Sequence, residues 1–237
     1  MKFPMSTKYP FSGVIAPFLL LGLTAIAAPV AESTLPNETL HYSINWPTGV
    51  SLGEAQLSAS SSAAHMHFAF DLDASAPAFP VSDRFRSDAS GSYCSSAFEK
   101  SISQGSKKAD DKETFDSATG TVTRGSGASQ AEMLSNPCGK DALTFLYFLR
   151  QELSQGRLPE RAVVFFGAPY ELRLKSAGTE SIKIGSASVD ADRITATATG
   201  PSSSISFEML FLKDRARTLA VVRVPLALGK FSMELVK

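Results

Sequence analysis

Apolar and polar residues alternate along most of the chain after about residue 38, as in β-strands that bury one face. The first clear run is Leu40 to Trp46, in which every second residue is apolar. Similar runs are Met66 to Leu72, Ile205 to Phe211 and Phe231 to Leu235, with Gly, Pro, Asn and Ser at the turns between them. The pattern predicts about eleven or twelve short strands in antiparallel order.

One segment has the pattern of a helix instead. Asp141 is a good N-cap, residues Ala142 to Ser154 follow it, and Gly156 and Pro159 end the segment. Its first two turns, up to Leu149, are apolar nearly all round, so the helix must be enclosed on several sides. The predicted fold is therefore mainly β (α+β): a large curved antiparallel sheet or open half-barrel that encloses one long apolar helix. Residues 38–237 are predicted to form a single domain of this kind.

Two predicted strands are apolar on both faces. Val163 to Phe166 has no polar side, and Leu210 and Leu212 lie opposite the face that carries Phe207. Such strands are covered on both sides by protein, which is the commoner cause, or by a bound apolar ligand. The candidate ligand surface consists of Phe145, Tyr147, Phe148, Val164, Phe166, Leu210 and Leu212.

Arg150 stands where the apolar face of the predicted helix ends. Arginines in this position usually extend their charge into water or donate to carbonyl groups at a helix end. The alternative is a polar contact to an anionic or carbonyl-bearing ligand at the mouth of a cavity, and Arg150 is the candidate for this role.

The N-terminal segment 1–27 has the features of an export signal. Lys2 and Lys8 precede the largely apolar stretch Val14 to Ala27, and Ala25-Ile26-Ala27 offers the small residues that a signal peptidase recognises. The stretch is too short to cross roughly 30 Å of hydrocarbon as a permanent helix. Residues 1–27 are therefore predicted to be removed, leaving a lead-in at 28–37 and a periplasmic or secreted protein without a transmembrane span. No Cys follows the cleavage site, so a lipid anchor is not expected.

The two cysteines of the chain, Cys94 and Cys138, are expected to form a disulfide in an oxidising compartment. Closing a loop of this length stabilises a fold by about 4 kcal/mol in the chain-entropy estimate. The alternatives are two buried thiols or a metal site, but the spacing is not CxxC and the chain has only 3 His.

Charge and motifs exclude several classes of function. The chain has 23 Lys and Arg against 23 Asp and Glu, without the basic excess of a nucleic-acid-binding protein. It lacks the GxSxG, HExxH, GxGxxG and GxxxxGK[ST] motifs. His65 and His67 would share one face of a strand, and Asp110, Asp111 and Glu113 interleave with lysines, but solvated surface residues explain both groups. We expect a monomer that is not an enzyme and holds no metal or cofactor.

The helix segment Asp141 to Arg150 and the tail Val224 to Leu235, together with the opening Leu40 to Trp46 and Gly53-Glu54-Ala55, resemble the bacterial domain-of-unknown-function family 3108. The resemblance covers about residues 38 to 236. It implies an exported protein with an open barrel similar to the Lol-type carriers and receptors of lipoproteins, in which a helix lies in the concave side of the sheet. Function does not follow from a shared fold alone.

These patterns favour a periplasmic protein that binds or carries a lipid, an acyl chain or an apolar segment of an envelope lipoprotein. The alternative is a structural or interaction protein of the cell envelope, whose apolar strand faces are all core and whose outer surface docks onto a partner. A third hypothesis is a hydrolase with a scattered site, which would require His65 or His67 to meet a Ser or an acidic residue.

Overall fold

The computed structural model describes residues 37–62, 65–76, 79–125, 130–226 and 229–236. The predicted signal peptide lies outside this part of the chain, as does the predicted lead-in apart from Asn37. No helix among the described residues is long and apolar enough to span a membrane.

The described chain forms one antiparallel sheet and one helix, as predicted, but the sheet has 14 strands and not the expected eleven or twelve. The strands are β1 (Glu38–Asn45), β2 (Ser51–Ser62), β3 (His65–Ala76), β4 (Phe79–Ser90), β5 (Ser95–Gln104), β6 (Lys107–Asp116), β7 (Thr121–Arg124), β8 (Ala131–Leu134), β9 (Arg161–Phe165), β10 (Pro169–Ile184), β11 (Ala187–Thr199), β12 (Ser204–Leu212), β13 (Leu219–Leu226) and β14 (Gly229–Val236), and the helix is α1 (Ala142–Ser154).

The chain forms the sheet in two runs of strands, which are separated by α1. Strands β1 to β8 are laid down side by side, α1 then crosses to the other margin, and β9 to β14 return until β14 pairs with β1. Strands β8 and β9 are therefore the two edges of the sheet. Because every neighbour is antiparallel, the turns alternate between two ends of the sheet.

Two strands form from polar or charged sequence. Strand β4 turns Asp83, Phe85 and Ser87 inward. Strand β6 contains Asp110, Asp111 and Glu113, and the expectation that all three are solvated surface residues was wrong, because Glu113 is fully buried. Pairing of β4 with β3 and β5, and of β6 with β5 and β7, fixes both strands in spite of their polar sequences.

Asp141 fixes the start of α1 to the sheet. One of its carboxylate oxygens accepts the main-chain N–H groups of Leu143 and Thr144 at 2.8 and 3.0 Å, as the predicted N-cap should. The other accepts the hydroxyls of Ser87 in β4 and Ser95 in β5, both at 2.6 Å. The helix therefore begins at a position set by β4 and β5.

The disulfide between Cys94 and Cys138 is formed, with sulfur atoms 1.98 Å apart and a sequence separation of 44. Cys94 directly precedes β5 and Cys138 lies three residues before the helix cap. The main-chain N–H of Ser95 also donates to the carbonyl of Gly139 at 3.0 Å. The bridge thus links the same two parts of the chain that Asp141 joins.

Two core clusters meet at α1. Leu143 and Tyr147 pack on the inner faces of β1 to β5, where the Tyr147 ring stacks on Phe68 with centroids 4.3 Å apart. Phe145 and Leu149 pack on the inner faces of β9 to β13. The helix is therefore enclosed by both halves of a curved sheet, as its apolar sequence predicted.

A third cluster lies on the outer face of β12 and β13. The register of the β10–β11 hairpin shifts between Ser176 and Thr179, and the residues beyond the shift pack against Leu210 and Leu212. Both leucines are therefore covered by the protein itself.

Candidate functional site

A cavity of about 860 Å³ lies between α1 and the inner face of the sheet. Its volume is within the range of roughly 300–1,000 Å³ that is typical of small-molecule sites. Its walls come from both halves of the sheet, and its floor is the helix. The helix contributes Ala142, Leu143, Phe145, Leu146 and Leu149, and the strands contribute, among others, Leu57, Phe70, Phe85, Val164, Phe166, Tyr170, Leu172, Leu174, Ala198, Phe207, Met209, Leu219, Val222 and Met233.

The lining is almost entirely apolar. Among the described residues that line the cavity, none carries a carboxylate, amine, guanidinium or imidazole. The polar groups are the hydroxyls of Ser203 and Ser204 and that of Tyr170. Such a surface gains free energy from contact with hydrocarbon and offers no partner for a buried charge. The cavity can therefore accept the apolar part of a ligand but not a charged group.

The cavity opens at the end of the sheet that lies opposite α1. Ser203, Ser204 and Ile205 come from the β11–β12 turn and the start of β12, while Pro225 and Leu226 end β13. The guanidinium of Arg150, at the other end, contacts the start of β1 and the β12–β13 turn. We call the end with Ser203 and Leu226 the open end.

Side-chain size along β11 explains why space remains inside. Ala196 and Ala198 face inward and are buried, so this part of the wall is thin. On the opposite wall the Phe85 ring meets Phe166 edge to face at 5.1 Å and lies 5.5 Å from Phe70. Small residues on one wall and fixed aromatic rings on the other leave a gap that the protein's own side chains do not fill.

A buried polar cluster holds the turn after β9 against β6. Oε1 of Glu113 accepts the main-chain N–H of Gly167 at 2.9 Å, and Nζ of Lys100 donates to the Phe166 carbonyl and lies near Asp111, both at 3.3 Å. Gly167 has a φ of 78°, in the left-handed region that favours glycine. We call Lys100, Asp111, Glu113 and the Gly167 main chain the Glu113 cluster.

Glu113 is fully buried, and its Oε2 has no hydrogen-bond partner among the described residues. Burial raises the pKa of Glu113 to about 7, although the hydrogen bond from Gly167 and the charge of Lys100 act in the opposite direction. The cluster therefore contains a group that changes charge near neutral pH. Because Phe166 lines the cavity, this group sits directly behind one of its walls.

Arg150 is not at the mouth of the cavity, contrary to the hypothesis of a polar ligand contact. Its guanidinium is paired with the carboxylate of Glu38, and Nη2 lies 3.1 Å from Oε2. Its Nε donates to the carbonyls of Ala216 and Arg217 at 3.2 and 3.1 Å. It also lies over the Tyr147 ring at 4.9 Å. These contacts make it an internal tie between α1, β1 and the β12–β13 turn.

The structure brings together only some of the predicted apolar surface. Phe145, Val164 and Phe166 line the cavity. Tyr147 faces Phe68, and Phe148 lies near Tyr93 and Lys140. Leu210 and Leu212 belong to the outer cluster and do not contribute to the cavity wall.

Most of the residues that line the cavity were not among those predicted for the apolar ligand surface. They include Phe70, Phe85, Leu172, Ala198 and Met233. The period-two alternation in the sequence placed several of these residues on the buried faces of strands, but it did not tell which buried positions surround an empty space.

His65 and His67 do not form a metal site. No group of three or more His, Cys, Asp or Glu side chains is arranged to hold a metal ion within the described ranges. Nδ1 of His67 does meet the carboxylate of Asp88, as the hydrolase hypothesis required of one histidine. The pair is more than half exposed, and it lies on the outer face because its neighbours Met66 and Phe68 point into the core. It is therefore not part of the cavity.

Comparison with solved structures identifies a relative of the same fold. The beta-barrel-like protein of domain of unknown function DUF1849 from Brucella abortus is 9% identical, covers 86% of this chain and 97% of its own, and has a TM-score of 0.62. Lipoprotein LppX from Mycobacterium tuberculosis is 12% identical and covers 84% of this chain and 85% of its own, but its TM-score of 0.27 carries no argument. None of the curated proteins matches the sequence.

The family assignment rests on the sequence match over the whole described domain. Residues 40–236 match the profile of the family described as "Protein of unknown function (DUF3108)". This range contains every residue that lines the cavity and both cysteines of the disulfide. The chain therefore belongs to the DUF3108 family.

Proposed function

We propose that the protein binds the apolar part of a lipid, such as an acyl chain, in the cavity above α1 and carries it within the cell envelope. The observation that supports this proposal is the cavity of about 860 Å³ whose lining residues include no charged side chain. Burial of hydrocarbon is the interaction that such a surface favours most.

The proposal also assigns a place to the polar end of the ligand. Because the lining offers only the hydroxyls of Ser203, Ser204 and Tyr170, a charged headgroup would remain at the open end in water. A lipid would therefore enter with its chain first and leave its headgroup outside. We also propose that the protein binds without catalysing a reaction, because a reacting group inside the cavity would have no acid or base beside it.

The N-terminal segment 1–27 supports the proposed location. It combines basic residues, an apolar stretch and small residues before Ala28, which are the features of a signal peptide. A location in the cell envelope would give the protein access to membrane lipid. The Cys94–Cys138 disulfide is compatible with such an oxidising compartment.

Binding of a series of saturated fatty acids tests the proposal. Each additional methylene buried in the cavity should contribute about 0.8 kcal/mol, so affinity should rise about fourfold per methylene until the cavity is full. The assay is displacement of a fluorescent fatty acid from the purified protein that begins at Ala28. Affinities that do not depend on chain length would contradict an acyl-chain site.

A pair of variants on one strand provides the control. Ala198 faces the cavity, whereas its neighbour Thr197 faces outward and lies near Ser206, with hydroxyl oxygens 2.9 Å apart. Ala198→Trp should fill part of the cavity and weaken binding, while Thr197→Trp should leave it unchanged. Thermal unfolding verifies that both variants fold, and Ala198→Leu serves if the Trp variant does not. Equal binding by the wild type and all folded Ala198 variants would contradict the proposed site.

A further inference from the structure

The open end of the sheet carries a concentration of exposed apolar side chains. Val50 follows the β1–β2 turn and is 62% exposed, Phe79 begins β4 and is 48% exposed, and Leu226 ends β13 and is 52% exposed. Ile205, at the start of β12, is 39% exposed. Ile205 and Leu226 also line the cavity. An exposed apolar rim that continues into an apolar cavity is typical of a surface that contacts a partner.

These side chains share one end because of the antiparallel topology. Strands β1, β3, β5 and β13 run toward the open end, and β2, β4, β12 and β14 begin there. Contacts between turns support this placement. The Trp46 ring meets Phe231 edge to face at 4.8 Å, which joins the β1–β2 turn to β14. The Pro47 ring lies against Gly229, at the start of β14.

Acidic residues are distributed unevenly between the turns of the two ends. The segments 46–51, 103–108, 165–170, 199–204 and 225–230, which contain turns or strand ends of the open end, include no Asp or Glu. They include Lys107, Lys108 and Lys230, all exposed, the last of them 3.5 Å from Glu208. At the opposite end, by contrast, β6 ends at Asp116, and the β12–β13 turn contains Asp214 beside Lys213, Arg215 and Arg217.

We propose that the open end docks onto the surface of a lipid bilayer that contains anionic phospholipid, with Val50, Phe79, Ile205 and Leu226 entering the headgroup layer. This inference rests on the proposed function, because docking in this orientation places the mouth of the cavity directly on the source of the ligand. Exposed apolar side chains flanked by lysines, on turns that include no carboxylate, match the chemistry of an anionic interface. The hydrocarbon chain then passes between bilayer and cavity without crossing water.

The apolar side chains and the lysines of the open end should each contribute a measurable amount to vesicle binding. Binding to an interface strengthens with the apolar area that is buried, so removing three large apolar side chains should weaken partition into vesicles by at least about tenfold. Each lysine near an anionic surface strengthens binding by about fivefold at low salt, and added salt screens this contribution. The lysine contribution should vanish on vesicles without anionic lipid.

Cosedimentation of the protein that begins at Ala28 tests the inference, using phosphatidylcholine vesicles with and without phosphatidylglycerol. The rim variant is Val50→Ser, Phe79→Ser and Leu226→Ser combined. The matched control combines Leu134→Ser and Val236→Ser, whose side chains are 86% and 52% exposed at the opposite end of the sheet. We expect the rim variant to lose binding and the control to retain it. Equal binding by both variants, or no binding by the wild type, would overturn the inference.

Two further experiments distinguish a failure of the docking inference from a failure of the proposed lipid binding. Lys107→Gln with Lys108→Gln should weaken binding to vesicles with phosphatidylglycerol and leave binding to phosphatidylcholine unchanged. Ala198→Trp should still bind vesicles but take up less fatty acid, so a wild type that takes up fatty acid without binding vesicles would refute only the docking. If the wild type formed dimers in the absence of vesicles and the rim variant were monomeric, the rim would be a dimer interface. That result would also overturn the docking inference.

Discussion

Replacing Glu113 with Gln should remove a pH dependence of the unfolding free energy that arises from the buried Glu113 carboxyl behind the cavity wall. The wild-type carboxyl is fully buried, and its pKa is raised from the ordinary value of 4.5 to about 7, chiefly by burial. Between these two values the folded protein keeps a proton that the unfolded chain has released. The contribution of Glu113 to the free energy of unfolding should therefore be fully present below pH 4.5 and be lost as pH rises through about 7.

The size of the effect follows from the shift in pKa. A rise of the pKa from 4.5 to about 7 corresponds to about 3 kcal/mol, which is the contribution of Glu113 that should be lost across this pH range. Glutamine has the same shape, and its carbonyl can still accept the N–H of Gly167, but it does not titrate. The difference in unfolding free energy between wild type and Glu113→Gln should therefore change by about 3 kcal/mol between pH 4.5 and pH 8.

Urea unfolding followed by circular dichroism at several pH values measures this difference. Lys112→Gln is a suitable control, because the pKa of exposed Lys112 is raised further above its usual value by Glu99 and the side chain stays charged throughout the range. For the control, the difference from wild type should remain constant with pH. A constant difference for Glu113→Gln as well would refute the argument that Glu113 is protonated in the folded protein.

Three other changes have defined outcomes in the same unfolding assay. Arg150→Met should destabilise the protein by about 3–5 kcal/mol, since it leaves the carboxylate of Glu38 without its guanidinium partner, and Glu38→Gln in the same background should restore part of that loss; no restoration would count against a coupled pair. Cys94→Ser with Cys138→Ser should cost about 4 kcal/mol, and an unchanged unfolding midpoint would show that the bridge does not constrain the unfolded chain. Leu210→Ala should cost about 2–5 kcal/mol without changing fatty-acid affinity, and weaker binding would indicate that the outer cluster belongs to the site.

The helix and the class of fold could be predicted from local sequence signals. Asp141, the apolar turns after it and Gly156 determine the helix, and an apolar helix must be covered on several sides wherever it lies. Strands such as β1 and β12 show their buried face by alternation. The disulfide was predicted from the presence of two cysteines in a chain with a predicted export signal.

Other features depend on contacts between residues that are far apart in the sequence, so local sequence patterns could not predict them. Strand β6 has a charged sequence, yet it buries Glu113, which accepts a main-chain N–H of the distant β9–β10 turn. The apolar outer face of β12 is covered by a hairpin that folds over it only because β10 changes register after Ser176. The partner of Arg150 is Glu38, which is far away along the chain.

The cavity itself depends on which buried residues face one another across the fold. The alternation of apolar residues marks the buried faces of strands, but it does not show that Ala198 on one wall faces the Phe85 ring on the other. Whether opposing side chains meet or leave a gap is decided by the curvature of the whole sheet. For this reason the sequence left a self-filled core and an open site as alternatives.

The most direct test of the central claim is native mass spectrometry of the protein purified from the envelope of cells that produce it, followed by organic extraction of any bound molecule. We expect a bound species of lipid mass in the wild type and in Thr197→Trp, and its loss in Ala198→Trp. A wild-type protein that carries no such species, and that takes up no fatty acid when incubated with it, would contradict the claim that the cavity above α1 is a lipid site.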